Sequence, residues 1–186
     1  SDILDMQGVD PVLTEYAEGY GEAMGDSLDQ VQRDVICAGT TVQYASTAVC
    51  RGGVGSNMLL NTAEIREALA TLKNAKAKTV VDNKYIAIIA PNTTRDLQAD
   101  SNLLNAWQYA ANRGPGNPLF ALGDFDYLGV RFVETTNAKV GSSLGMSGAD
   151  VYYTMFLGKE AYAVTELSSQ QARTYVIPRE TPDKTD

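Results

Sequence analysis

The chain has 186 residues, 44% of them hydrophobic and 20% charged, the balance of a globular domain, with or without an attached lobe. It contains no histidine, which excludes the imidazole base of the usual hydrolytic triads. Its net charge of −8 removes the basic footprint that strong nucleic-acid binding requires, and with no apolar run of ~18 residues no membrane partner is expected.

The charge is unevenly placed. Residues 1–32 hold Asp2, Asp5, Asp10, Glu15, Glu18, Glu22, Asp26 and Asp29 with no lysine or arginine, which leaves 15 acids against 15 bases in residues 33–186. The leading "SDILDMQGVD" carries acids where a signal peptide needs positive charge, so nothing points to secretion. Asp10-Pro11 is a good helix start, and Leu13, Tyr16, Tyr20, Met24, Leu28, Val31 and Val35 then recur every three or four residues until Gly39. This spacing predicts one helix over 11–38, roughly 42 Å long, which Gly19, Gly21 and Gly25 weaken and allow to bend. The acids Glu15, Glu18, Glu22, Asp26 and Asp29 fall on its other face. Either water solvates that face, or a basic surface of another chain lies against it.

"AGTTVQYASTAVCRGGVGSNM" (38–58) reads as a loop or loose hairpin; its single "RGG" says little about RNA, and "GGVGSN" lacks the Gly-Lys-Ser/Thr of a phosphate loop. Cys37 and Cys50 have neither disulfide-framework nor zinc-ligand spacing, so they are expected as free thiols of a reducing compartment, with no metal and no cofactor. Asn61-Thr62-Ala63-Glu64 resembles a capping box that opens a second helix through Ile65, Leu69 and Leu72. "YIAIIA" (85–90) suits a central strand, and Asn92 is placed to cap a short helix containing Arg95, Asp96 and Leu97. A further helix is expected around Leu103, Leu104, Trp107 and Ala110. "GVRFVETTN" (129–137), "VYYTMFLG" (151–158), "AYAVTEL" (161–167) and "ARTYVIP" (172–178) all read as extended. The order has no regular βαβ alternation, so the fold class is α+β.

Three motifs invite chemistry and none sustains it. "DFDYLG" (124–129) begins like a calcium loop, but Leu128 and Thr135 stand where two oxygen ligands belong, so it is read as a turn. "GSSLG" (141–145) matches the nucleophile-elbow pattern around Ser143, yet no histidine can take its proton and the glycine-rich "MSGAD" after it cannot open a helix. Tyr152, Tyr153 and Tyr162 are read as strand packing rather than as a base-stacking platform. A carboxylate-dependent hydrolase is the alternative of another class, and a deep cleft with two facing acids ~5–9 Å apart would mark it.

Several segments in order resemble the major capsid protein of tailed bacteriophages, in the branch typified by the coat protein of the coliphage named N-four. They are "DILDMQGVDPVLTEYAEGYGEAMGDSLDQVQRDVICAGTTVQYA" (2–45), "NTAEIREALATLKNAKAK" (61–78), "YIAIIAPNTTRDLQAD" (85–100), "GVRFVETTNAKV" (129–140) and "DVYYTMFLGKEAYAVTEL" (150–167). The resemblance implies the tailed-phage capsid fold shared with encapsulin shells, with residues 1–60 part of a peripheral domain built on the long spine helix. Residues 61–167 would form the axial domain, and 168–186 a return strand toward the peripheral domain. It further implies self-assembly into pentamers and hexamers of an icosahedral shell around phage DNA that is enclosed but not specifically bound. Portal or decoration proteins are possible partners, and the location is the virion, or the bacterial host cytoplasm during assembly. An encapsulin-like compartment is the same-fold alternative. The acidic face of Glu15, Glu18, Glu22, Asp26 and Asp29 becomes a candidate subunit contact. Family members carry an arm and an extended loop before this region and further strands after it, so the chain reads as a core that on its own stays monomeric or associates weakly. Residues 113–128 and 141–148 follow the family pattern loosely and are expected in axial-domain loops.

Overall fold

The computed structural model describes residues 12–110 and 124–165. Four helices are α1 (Val12–Cys37), α2 (Thr62–Asn74), α3 (Pro91–Gln98) and α4 (Ser101–Ala110). Six strands are β1 (Tyr85–Ile89), β2 (Phe125–Tyr127), β3 (Val130–Glu134), β4 (Val140–Gly141), β5 (Val151–Tyr152) and β6 (Met155–Leu157). The fold is α+β, as read from the sequence. Asp10-Pro11, the return segment 168–186 and "ARTYVIP" lie outside the described residues.

A four-stranded mixed sheet in the order β2-β3-β1-β6 carries the body. β1 is central, parallel to β3 (Tyr85 opposite Val130) and antiparallel to β6 (Ala87 opposite Phe156). Period-two alternation turns Tyr85, Ala87, Ile89, Val130 and Phe132 inward, where they meet Ile65 and Leu69 of α2, Leu97 of α3 and Leu103 of α4. Among the described residues Phe132 is the largest fully buried side chain; it stacks on Phe125 at 4.8 Å and meets Phe156 edge-on at 6.3 Å.

β2 and β3 form a hairpin closed by Leu128-Gly129, with Tyr127 paired to Val130. Both loop residues have positive φ (52° and 82°), as the tight hairpin turn matching the strand twist requires. The region read as a turn is therefore a strand plus a two-residue turn. Asp126 lies on that strand, with Lys84 Nζ at 2.6 Å and Arg131 Nε at 3.1 Å, so two cations occupy the carboxylate that a calcium loop would have needed.

Caps hold the helices to the body. Asn61 accepts from the N–H groups of Ala63 and Glu64. Glu64 does not reach back as a capping box would; it accepts from the Ser46 N–H (2.7 Å) and Gln43 Nε2 (2.8 Å), pinning the preceding loop. Asp100 accepts from the Thr62 N–H (2.7 Å), the Thr62 hydroxyl (2.5 Å) and the Asn102 N–H (3.1 Å), so one carboxylate closes the N-termini of both α2 and α4.

Three further sequence expectations need correction. Asn92 does not cap α3: the cap position is Ala90 and the helix starts at Pro91, because proline's fixed φ suits the first helical position, and Asn92 donates instead to the Tyr152 hydroxyl at 2.8 Å. The stretch 151–158 is two short strands in different sheets, β5 pairing with β4 and β6 with β1. Residues 161–165 form no strand, and Tyr162 and Val164 are exposed; Lys159 and Glu160 (φ 61°) turn the chain just before them, and strand propensity without a paired neighbour does not make a strand.

Candidate assembly surface

α1 is a single unbroken helix of 26 residues, about 39 Å long at 1.5 Å per residue. Gly19, Gly21 and Gly25 do not interrupt it, and every residue from Glu15 to Gln32 is exposed. At roughly 100° per residue, Glu15, Glu18, Glu22, Asp26 and Asp29 share an arc of about 80°, and Tyr16, Tyr20, Met24, Leu28, Val31 and Val35 one of about 120° centred on the opposite side.

The helix meets the body near its C-terminal end. Asn137 Nδ2 donates to Asp29 at 3.0 Å, Arg33 donates to the Asn137 carbonyl at 2.7 Å, and Ile36 and Cys37 are half-buried. These four residues lie on the side of the helix that carries the acids. The apolar stripe therefore points away from the body. Its side chains are 42–73% exposed, an arrangement that amphipathic periodicity alone would have reversed.

The junction is polar and locally balanced. Hydrogen bonds from Lys139 (Nζ at 3.2 Å) and then from Arg33 hold the Asp34 carboxyl below its usual range. Lys139 and Arg51 also lie over the Tyr153 ring, 5.8 and 5.3 Å from its centroid. Burial pushes the Cys37 thiol up, away from reactivity. Cys37 and Cys50 are free thiols. Sequence reading missed the contacts of Asn137 and Lys139, which lie about 100 residues beyond the helix they hold, and no local spacing signals such a contact.

The proposed chemistry finds no home among the described residues. Ser143 has φ 57° and its N–H donates to Asp150 at 2.9 Å in a loop that follows the two-residue β4, not a strand-to-helix elbow. That loop docks on residues 54–55 through the Met146 N–H and the Val54 carbonyl (2.8 Å). A shallow depression of about 240 Å³ is lined by Ala90, Pro91, Asn92, Thr136, Ala138, Val140 and Tyr152, with no carboxylate among them. Among the described residues no cluster of three His, Cys, Asp or Glu could hold a metal, and no helix is long and apolar enough to cross a membrane.

A family model described as phage capsid protein matches residues 32–177, more than three quarters of the chain. The chain belongs to the phage capsid protein family. Members of this family are structural rather than enzymatic proteins, which leaves Ser143 a loop residue. Among solved structures, the capsid of Ralstonia phage GP4 is similar to it, with 19% identity and a TM-score of 0.46 over 63% of this chain. The chain spans 36% of the length of that capsid chain. No curated protein matches.

Proposed function

We propose that the chain is the core of a major capsid subunit that assembles with copies of itself into pentamers and hexamers of an icosahedral shell around phage DNA. The observation that carries this reading is the capsid-family match over residues 32–177. A long helix standing clear of a mixed-sheet body supports it. The match also favours a virion shell over an encapsulin-like cargo compartment. Within the family, the resemblance of the segments quoted above supports the branch of the N-four coat protein. In this reading residues 1–60 belong to a peripheral domain, 61–167 to an axial domain and 168–186 to a return strand toward the peripheral domain. Glu15, Glu18, Glu22 and Asp26 remain an acidic face for a basic arm of a neighbouring subunit, while Asp29 is already engaged by Asn137. In this reading DNA is enclosed without specific contact, which the net charge of −8 supports. The shell forms in the bacterial cytoplasm, and portal or decoration proteins complete it.

Expression of the whole gene product followed by negative-stain microscopy tests the proposal. Closed particles of uniform diameter are the expected result. A small discrete oligomer at every concentration and salt tried would overturn it.

A further inference from the structure

We propose that Asp100 is an acid-operated latch: its carboxylate ties the N-termini of α2 and α4 together, and one added proton frees both as a unit while the sheet stays closed. The proposal goes beyond the assembly reading and does not rest on it.

The two oxygens of this side chain divide the contacts. Oδ2 accepts from the N–H and the hydroxyl of Thr62, the first residue of α2. Oδ1 accepts from the N–H of Asn102, in the first turn of α4. Both helices thus aim the positive end of their peptide dipoles at one charge. Thr62 is 1% exposed, so an N–H and a hydroxyl released there find no solvent until the turn itself opens. The Thr62 hydroxyl also lies 3.3 Å from the Tyr127 hydroxyl, the titratable group that faces this node from β2.

Every donor on Asp100 is uncharged, and that makes the node sensitive to a proton. The charged groups of the surrounding elements face elsewhere. On α2, Glu64 holds Ser46 and Gln43, while Arg66, Glu67 and Lys73 are exposed. On α3, Asp96 pairs with Arg95; on β2, Asp126 pairs with Lys84 and Arg131. The helix α4 carries no charged residue. Neutral donors hold a carboxylate's charge less firmly than cations do, so on acidification Asp100 takes up its proton before Asp126. Burial works against the charge on Asp100, but the bonds from Thr62 and Asn102 outweigh it and keep its carboxyl below the usual range. The latch is therefore shut above about pH 3.9 and opens as pH falls through the lower folded-state value.

More than two helix ends come loose. Asn61 caps the first turn of α2, and Glu64 in that turn holds the preceding loop at Gln43 and Ser46. Opening at Thr62 unfastens the connection that joins α1 to the body.

Titration of the unmodified chain tests the latch. By amide NMR, the Thr62 and Asn102 protons should shift with one common midpoint below about pH 3.9, because they sense the same carboxyl. Through that transition, hydrogen exchange corrected for its intrinsic pH dependence should quicken about 10-fold or more in residues 60–66 and 100–106 together. Amides of β1 and β3 should keep their protection. Asp100→Asn, which keeps the size and removes the charge, should show the fast exchange already at pH 7 and lose its pH dependence. If that variant does not fold, titration of the parent alone decides. Separate midpoints for Thr62 and Asn102, loss of β1 and β3 protection at the same pH as the helix ends, or a folded Asp100→Asn protein that exchanges like the parent at pH 7 would each overturn the proposal.

Discussion

Asp126 is the residue whose charge the fold uses most directly. Burial works against its ionisation, but hydrogen bonds from Lys84 and Arg131 outweigh that and lower its pKa. A carboxylate with a depressed folded-state pKa stabilises fully above its unfolded value of about 3.9 and loses that contribution as pH falls through the folded value. Asp100 and Asp34 shift the same way, Asp100 through bonds from Thr62 and Asn102 that overcome its burial, so stability should fall steeply below about pH 4. Asp126→Asn should cost about 1–2 kcal/mol at pH 7, and the gap to the parent should narrow as pH falls below about 4, as urea unfolding across that range will measure. Ser143 is the contrasting case. With no histidine in the chain and its backbone bonded to Asp150, Ser143→Ala should change stability by no more than ~0.5 kcal/mol and leave fluorophosphonate labelling at background. Stoichiometric labelling that the substitution abolishes would restore the hydrolase alternative.

At the scale of elements, two substitutions separate turn from core. Leu128 pays a backbone penalty at φ 52° while its side chain is partly exposed, so Leu128→Asn should raise stability by about 1 kcal/mol. Phe132→Ala, at the fully buried crossing of β2, β3 and β6, should cost about 3–5 kcal/mol; a loss below 1 kcal/mol in either thermal or urea unfolding would show that the sheet packs differently. Legibility followed the range of the physics. Helices α1, α2 and α4 were readable because caps and apolar spacing act within four residues, and β1 because "YIAIIA" is apolar on both faces. β2 was not, since three residues of "FDY" carry no periodicity and become a strand only through β3. Residues 161–165 show the reverse: valine and tyrosine supply propensity there, but no partner strand is at hand. Of the assembly surface, the acidic and apolar faces were legible, but which one turns outward was not. Asn137 decides that, and it lies more than a hundred residues from the helix it holds.

For the whole molecule, charge and apolar surface act on association in opposite directions. A net charge of −8 repels copies of the chain, and salt screens that repulsion over about 10 Å at 0.1 M, so raising salt should strengthen self-association modestly, by a few-fold. Sedimentation at low and high salt checks the sign; dissociation on adding salt would mean that oppositely charged surfaces, not apolar ones, hold the contact. The exposed rod of α1 has one more consequence. Among the described residues nothing packs along its first five turns, so backbone hydrogen bonds alone hold them. Three glycines each cost about 1 kcal/mol relative to alanine, and most helical stability in proteins comes from packing of an amphipathic face, which these turns lack among the described residues. Whatever settles on the rod must therefore also stiffen it, and part of every contact's free energy goes into that ordering. Such contacts are individually weak and quickly undone. In the growing shell proposed above, contacts of this kind would let a misplaced subunit release before its neighbours lock it in.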